Sequence, residues 1–287
     1  MEMVHFIPPS QRRLAVLAAQ ADAAPVLIHG KSGTGKSSLA KWIHCQGPRA
    51  TFPFITAQRG SSLMKRLIEA KGGTLFVPEI GELPLSDQKS LCDFIRTKSV
   101  PHPDQTSTPM LLNTRIMCTS SQSLEGRAQG GLFNHELLQK LNVFRIEMPE
   151  LAKRGEEFED IVTGILKEIT KELRREHVRS ISEAVWSRLR SYEWPGNLRE
   201  LRNVLRVAVI RTKGDCVENH DLPEFGIEHL DFRATREKFE KTYITELLKS
   251  FDWQIDKTCQ ESHLDRDVLI EKIRKYGIDS VFDQSNP

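Results

Sequence analysis

The chain has 287 residues, 39% of them hydrophobic and 28% charged, and its 41 basic residues nearly balance 39 acidic ones. This composition is typical of a globular protein of about two folding units, and it excludes a disordered chain and a uniformly basic nucleic-acid coat protein. No apolar run approaches the roughly 18 residues that span a bilayer, and the first residues do not form a secretory signal. We therefore expect a cytoplasmic protein with no membrane partner.

In the first half of the chain, short apolar runs alternate with helical patterns. The predicted strands are residues 25–29, 53–56, 74–77, 115–119 and 143–147. Helices are predicted over residues 37–44 and 86–97. Because strands separated by helices favour a parallel sheet with crossover helices, residues 1–150 are predicted to form a three-layer α/β domain.

Residues 30–37 read Gly-Lys-Ser-Gly-Thr-Gly-Lys-Ser and fill every required position of the pattern Gly-x-x-x-x-Gly-Lys-Ser/Thr. The glycines let backbone N–H groups point at phosphate oxygens, and the helix that follows adds the partial positive charge of its N-terminus. We predict that Lys36 reaches the β and γ phosphates and that the Ser37 hydroxyl helps to hold Mg²⁺. The residues predicted to bind a nucleotide in this segment are Gly30, Ser32, Gly33, Thr34, Gly35, Lys36, Ser37 and Ser38.

From about residue 151 the pattern becomes entirely helical, with helices predicted over 158–177, 182–192 and 197–212. We predict an all-α lid subdomain over residues 151–213. A linker is predicted over residues 214–233, because six acidic residues, a proline and two glycines fall there. The basic cluster of Lys171, Arg174, Arg175 and Arg179 is interpreted as a solvated face.

Three further blocks accompany the phosphate loop: residues 72–84 (Gly-Gly-Thr-Leu-Phe-Val-Pro-Glu-Ile-Gly-Glu-Leu-Pro), 141–143 (Leu-Asn-Val) and 194–201 (Trp-Pro-Gly-Asn-Leu-Arg-Glu-Leu). Together they resemble the AAA+ ATPase domain of bacterial sigma-54-dependent transcription activators, also called enhancer-binding proteins. The resemblance covers most of residues 8–213. It implies a P-loop AAA+ fold, ATP and Mg²⁺ as ligands, self-association, and a nucleotide-sensing role for Arg199.

The resemblance also implies an Asp-Glu pair at the end of the third strand, in which Asp orients the Mg²⁺ shell and Glu activates the attacking water. Here the pair is Pro78-Glu79, so Mg²⁺ lacks one partner while Glu79 keeps the position of the catalytic base. The family's asparagine that positions this Glu corresponds to Gln58. The polar sensor after the fourth strand corresponds to Ser121.

Two arginines that the family inserts into the neighbouring subunit's active site correspond to Asn134 and Lys140. Such a finger contributes a factor of about 10³ to 10⁵ in phosphoryl transfer, and lysine does not reproduce its bidentate fork. We therefore predict a domain that binds ATP and hydrolyses it weakly or not at all. Two alternatives stay open: an active AAA+ ATPase in which Glu79 and another acid suffice, and a non-enzymatic subunit that co-assembles with an intact homologous AAA+ protein.

Family members that remodel sigma-54 polymerase carry a long insertion between the second and third strands, ending in Gly-Ala-Phe-Thr-Gly-Ala. Only residues 59–71 stand between Gln58 and the next block, and they contain no such sequence. We therefore predict no direct contact with sigma-54.

The helical tail, predicted as a domain over residues 234–279, resembles the Fis-type helix-turn-helix of the same activators. Its two motif helices are predicted over 253–262 and 265–276. The residues predicted to contact DNA are Arg266, Lys272, Arg274 and Lys275. However, residues 214–287 hold 17 acidic and 10 basic residues, a net charge that repels DNA. A three-helix packing or dimerisation element is therefore the alternative.

Overall fold

The computed structural model describes residues 6–58, 60–101, 109–224, 241, 244–245, 248, 253–262, 266–276 and 278. The chain forms two compact units, Met1–Pro223 and Glu224–Pro287. Among the described residues, no helix has both the length and the apolar character needed to cross a membrane.

The first unit is built on a parallel sheet. Its strands, in chain order, are β1 (Val26–His29), β2 (Phe54–Thr56), β3 (Thr74–Val77), β4 (Ser99–Val100), β5 (Met110–Leu111), β6 (Arg115–Ser120) and β7 (Phe144–Glu147). The parallel sheet has the order β2-β3-β6-β1-β7, and β4 pairs with β5 in an antiparallel ladder of its own. The five predicted strands all lie in the parallel sheet, and the predicted three-layer α/β fold is confirmed.

Helices cover both faces of this sheet, as the nearly continuous apolar strands require. They are α1 (Pro9–Gln20), α2 (Lys36–Gln46), α3 (Leu63–Glu69), α4 (Leu85–Thr97), α5 (Leu124–Gln129) and α6 (His135–Leu141). Val26 and Ile28 of β1 pack with α1 and α2 on one face, whereas Leu27 packs with the helices of the other face. The alternating side chains of a single strand thus divide the interior into two cores.

His44 joins the end of α2 to the sheet. This buried ring lies with Nδ1 2.9 Å from Thr74 Oγ1 and Nε2 3.2 Å from the Phe52 carbonyl oxygen. Because Thr74 is the first residue of β3, the ring connects the helix that begins in the phosphate loop with the strand that leads to Glu79.

The lid contains α7 (Phe158–Glu172), β8 (Ser180–Ile181), α8 (Glu183–Ser191), α9 (Asn197–Arg211) and β9 (Cys216–Val217). Helix α7 ends five residues before the predicted residue 177, because Arg174 adopts a left-handed conformation and the Arg175 N–H donates to the Thr170 carbonyl. The start of the predicted linker also differs from expectation, since β9 pairs with β8 and both Asp221 and Leu222 are buried. Residues 214–223 therefore pack against the lid.

The second unit contains α10 (Ile255–Ser262) and α11 (Arg266–Tyr276), which correspond to the two predicted motif helices. Its apolar cluster includes the buried side chains of Ile244, Leu248, Leu269, Ile273 and Ile278. Apolar residues from separate segments thus meet in a core belonging to this unit alone.

Candidate nucleotide site

The phosphate loop connects β1 to α2, and three of its glycines adopt positive φ angles: 152° at Gly30, 80° at Gly33 and 95° at Gly35. A Cβ atom on Gly33 would lie 2.1 Å from the Gly196 carbonyl oxygen, which is an impossible contact. Glycine is therefore required at position 33 both for its backbone angles and because the lid touches the loop there.

A cavity of about 440 Å³ opens over the loop, between the ends of β3 and β6 and the lid. Seven of the predicted nucleotide-binding residues line it together with Glu79: Ser32, Gly33, Gly35, Lys36, Ser37, Ser38 and Arg199. The other two, Gly30 and Thr34, support the loop from behind. The Gly30 carbonyl accepts a hydrogen bond from Lys36, and the buried Thr34 hydroxyl donates to the Lys31 carbonyl at 2.8 Å.

Lys36 is 7% exposed, and its ammonium group has three partners. Nζ lies 2.6 Å from the Gly30 carbonyl oxygen, 3.0 Å from that of Lys31 and 3.3 Å from Glu79 Oε1. Burial lowers the pKa of Lys36, while the Glu79 carboxylate acts in the opposite direction. An ammonium group has three protons to donate, so a phosphate must displace one of these partners to bind Lys36 directly.

Glu79 has a left-handed backbone, with φ 46°, and its carboxylate is held from two sides. Oε2 accepts hydrogen bonds from the Ser121 N–H at 2.7 Å and the Ser121 hydroxyl at 2.8 Å, while Oε1 faces Lys36. Burial acts to raise the pKa of Glu79, but the Ser121 hydrogen bonds and the Lys36 charge outweigh it and the pKa is lowered. Glu79 is thus a fixed anion.

The side chain that positions Glu79 is different from the one expected. Gln58, which corresponds to the family's positioning asparagine, is exposed, and within the described residues Ser121 and Lys36 are the side chains that bind the Glu79 carboxylate. The preceding Pro78 lines the cavity and adds no charge to it.

The lid contacts the loop through the first turn of α9. Asn197, with φ 54°, donates from Nδ2 to the Ser32 carbonyl at 3.0 Å and accepts from the Leu151 N–H at 2.9 Å. The Arg199 N–H donates to the Gly33 carbonyl at 3.2 Å, and the charge of Arg199 acts to lower the pKa of Lys36. Arg199 is therefore close enough to the loop to add positive charge where phosphates would bind.

Sequence reasoning did not predict several residues of the cavity wall. Phe6, Ile165 and Leu198 form an apolar part, and Glu168 lines the cavity with Arg202, which donates to it at 2.7 Å. Phe6, Ile165, Glu168 and Arg202 come from distant segments, and no local motif marks them. Asn197 and Leu198, by contrast, lie within the Trp-Pro-Gly-Asn-Leu-Arg block and could have been found there.

The two positions that correspond to arginine fingers have local partners in this chain. Asn134 is the N-cap of α6, because its Oδ1 accepts from the Leu137 N–H at 3.0 Å. Lys140 lies on the same helix, with Nζ 3.4 Å from Glu136 Oε1. Both side chains are thus satisfied within their own helix.

The predicted DNA-binding residues all fall on α11. Arg266 is exposed and Lys272 is half-buried, whereas the side chains of Arg274 and Lys275 lie outside the described part of the chain. The structure thus places all four residues on the second motif helix.

A parallel sheet with a phosphate loop after β1 and a helical lid over that loop defines a P-loop AAA+ module. Family models match three successive parts of the chain: "Sigma-54 interaction domain" at residues 9–151, "AAA+ ATPase lid domain" at 152–239, and "Bacterial regulatory protein, Fis family" at 235–276. The chain belongs to the family of sigma-54-dependent transcriptional regulators.

Individual relatives agree with this assignment. The alginate biosynthesis transcriptional regulatory protein AlgB of Pseudomonas aeruginosa is 30% identical over 292 residues, and the match covers 89% of this chain and 63% of AlgB. The regulatory protein AtoC of Escherichia coli is 29% identical, with 89% and 63% covered. The chain thus spans less than two thirds of the length of these relatives.

Among solved structures, NtrX from Brucella abortus has been determined in complex with ATP and with ADP. The ATP complex superposes with a TM-score of 0.63 at 28% sequence identity, covering 93% of this chain and 67% of NtrX. The shared architecture therefore extends over nearly the whole chain.

Proposed function

We propose that this chain is an ATP-binding transcriptional regulator that hydrolyses ATP weakly or not at all. The observation that carries the proposal is the cavity itself. It combines a full set of phosphate-binding groups with a hydrolytic edge in which Pro78 stands beside a restrained Glu79.

Nucleotide binding follows from the geometry of the loop. Residues at the start of α2 line the cavity together with Arg199, and the backbone N–H groups of a helix N-terminus suit a polyphosphate. The required glycine at position 33 lets the lid, with Arg199, approach the loop closely. The solved ATP and ADP complexes of NtrX support this assignment. The Ser37 hydroxyl lines the cavity and would hold Mg²⁺ with phosphate oxygens, because Mg²⁺ binds few protein ligands when phosphates are present.

Weak hydrolysis follows from what surrounds Glu79. A general base must be able to face water, and this carboxylate is engaged by Ser121 on one side and by Lys36 on the other. Pro78 supplies no carboxylate to the metal side of the cavity. Removing one preorganised charge or donor costs several kcal/mol of transition-state stabilisation, on the order of 3 kcal/mol for an oxyanion-hole group. Slow turnover is the expected result.

We also propose a DNA partner and domain boundaries for this chain. The tail, residues 234–279, is proposed to bind DNA through Arg266, Lys272, Arg274 and Lys275, in keeping with its match to the Fis family. Contact with sigma-54 is not part of the proposal, because the segment between β2 and β3 contains the short helix α3 and lacks the contact sequence. The remaining boundaries are proposed at 1–150, 151–213 and 214–233, with the first ten residues of the last segment packed on the lid.

A second function is favoured by the finger positions. Because Asn134 caps α6 and Lys140 pairs with Glu136, this chain offers no arginine from these positions to a neighbour's nucleotide. It would therefore act as a regulatory subunit when it assembles beside an intact homologue, and self-association alone would give an inactive ring. Mixing the chain with an intact activator should then lower the ATPase rate of that activator in proportion to the amount added.

The central experiment measures ATP binding and phosphate release side by side on the full chain. The wild type should bind ATP and release phosphate far more slowly than about 1 s⁻¹, the low end of common turnover rates. Lys36→Ala should weaken ATP binding by about 30-fold to 100-fold, because charge-assisted hydrogen bonds contribute about 1.5–3 kcal/mol each. Lys41→Ala, an exposed lysine on the same helix, is the matched control and should bind like the wild type.

Two outcomes would refute the proposal. Absence of ATP binding by the wild type would exclude a nucleotide site, and brisk phosphate release would favour the active-ATPase alternative.

A further inference from the structure

An exposed group of cations lies where α7 and α9 end. We name this region, residues 171–180 and 210–217, the basic corner. Lys171, Arg174 and Lys213 are exposed there, and within the described part of the chain they form no ion pair and no side-chain hydrogen bond. Exposed Arg179 and Arg211 each donate to a single backbone carbonyl, of Glu176 and Leu222 respectively.

The two halves of the basic corner are joined to each other. Arg175 donates to the carbonyls of Ile210 and Thr212, and so caps the end of α9. The Arg179 N–H donates to the Asp215 carbonyl at 2.8 Å, beside the β8–β9 pair. Arg175 is thus already engaged as a cap of α9. Its hydrogen bonds also join the two segments, so that their exposed cations belong to one surface.

Within the two described segments of the basic corner, acidic side chains do not cancel this charge. Glu172 is engaged by Arg202 and Arg206 on the lid. Glu176 and Asp215 are exposed in the basic corner. Six basic residues and three acidic ones therefore fall within its two segments, and one of those three is already paired.

Arg174 occupies a backbone position that favours glycine. Its φ is 55°, and the following N–H donates back to the Thr170 carbonyl at 2.7 Å, which is the arrangement that usually ends a helix at a glycine. A long cationic side chain in this conformation is unfavourable for folding. The left-handed backbone therefore does not by itself select a cation at this position.

We propose that the basic corner binds the phosphodiester backbone of duplex DNA next to the site that the tail recognises. The inference rests on the proposed DNA binding by the tail. Chain geometry supports it, because Asp221 accepts hydrogen bonds from the Thr212 hydroxyl at 3.1 Å and the Glu218 N–H at 2.9 Å. The polypeptide therefore leaves the first unit from this corner.

Tethering makes such a contact effective. About 20 residues separate residue 224 from Ile244, which belongs to the core of the second unit, so the chain can extend at most about 70 Å from this exit. DNA held by the tail is therefore kept at a high effective concentration around the basic corner. The second unit also needs this assistance, since residues 224–287 carry 14 acidic residues against 10 basic ones.

The sharpest test replaces Arg174 by the residue that its backbone favours. Arg174→Gly in the full chain should leave the thermal unfolding midpoint unchanged or raised, yet weaken binding to a mixed-sequence duplex of about 30 base pairs. Arg174→Asn, which also tolerates a left-handed backbone, should behave in the same way. Lower affinity without lower stability separates a binding role from a structural one.

The salt dependence of DNA binding then gives the number of phosphate contacts. Each phosphate contact contributes about 0.9 to the slope of log K against log salt concentration. The triple variant Lys171→Gln, Arg174→Gly, Lys213→Gln should therefore reduce the magnitude of that slope by about 2.7. The matched control replaces three exposed lysines elsewhere on the first unit, Lys41, Lys65 and Lys89, by Gln and should keep the wild-type slope.

The possible outcomes are distinct. A wild type that does not bind duplex DNA at low salt would refute both this inference and the proposed role of the tail. Binding by the triple variant with an unchanged slope would refute the basic corner alone and leave the tail intact. An equal reduction of the slope in the control would also refute it, because the effect would then reflect overall charge.

Discussion

The two halves of the nucleotide cavity differ in what they contain. The phosphate half contains the complete motif of residues 30–37 together with Arg199. The hydrolytic half contains a proline at position 78 and a carboxylate at 79 held by two partners. Outside the cavity, the two finger positions are an N-cap and a paired lysine. Binding rests largely on backbone N–H groups, whereas hydrolysis rests on individual side chains. The first can therefore be complete while the second is altered.

The strongest challenge to this contrast is Pro78→Asp, which restores a carboxylate beside Ser37 and Glu79. We expect phosphate release to increase by about tenfold or more, because one preorganised charged group changes turnover by about 10² when the remaining groups are in place. Initial rates of phosphate release at saturating ATP provide the measurement. Pro78→Ala, which removes the ring without adding charge, is the control. Equal rates for the two variants would show that position 78 does not limit hydrolysis.

A second test concerns His44. Its contact with Thr74 links α2, which begins in the phosphate loop, to β3, which leads to Glu79. Burial is the main cause that lowers its pKa, and the positive charges of Arg115 and Arg49 add to it, while the bond to Phe52 acts against it. A histidine whose pKa is lower in the folded than in the unfolded state stabilises the fold above its unfolded pKa, about 6.5. That contribution is lost as the pH falls through the folded pKa.

We therefore expect the free energy of unfolding of the wild type to decrease as the pH is lowered below about 6.5. His44→Gln should flatten this part of the pH profile and leave a change on the order of 1 kcal/mol or less. Urea unfolding at several pH values provides the measurement, with exposed His177→Gln as the control. A wild-type profile retained in His44→Gln would assign the pH dependence to other groups.

The smallest effect is expected from Glu79→Gln. The substitution removes the anion that shares Lys36 with an incoming phosphate, and the pair is partly exposed, so its strength is on the order of 0.5–1 kcal/mol. ATP affinity should rise about threefold, measured by the same titration as for Lys36→Ala. Asp87→Asn on α4 is the control. Weaker ATP binding by Glu79→Gln would instead mean that the carboxylate helps to hold the nucleotide.

Much of the fold was predictable, because the strands of a covered parallel sheet are short apolar runs. Strand β3 was predicted at its observed bounds, and β1 within one residue. The end of α7 was not, since the usual glycine signal is absent and Arg174 takes its place. The pairing of β8 with β9 was also missed, because two-residue strands have no periodicity to detect.

The candidate site also combines residues that the sequence predicts with residues that it does not. A local motif marks residues 30–37, so their shared cavity could be expected from the sequence alone. The contact between Glu79 and Ser121 depends on β3 and β6 being neighbours in the sheet. No local segment of the sequence predicts that strand order. Phe6, Ile165 and Leu198 meet only after the lid has packed on the loop. Long-range packing, and not residue type, decides these positions.

The length of α9 gives its contact with the phosphate loop a further meaning. Its first turn is bonded to Ser32 and Gly33, and its last residue, Arg211, lies in the basic corner. Fifteen residues of helix span about 22 Å. A rigid lever of that length, turned by about 10° at the loop, moves its far end by about 4 Å. A rotation of this size at the loop would thus move the basic corner by about the width of a side chain.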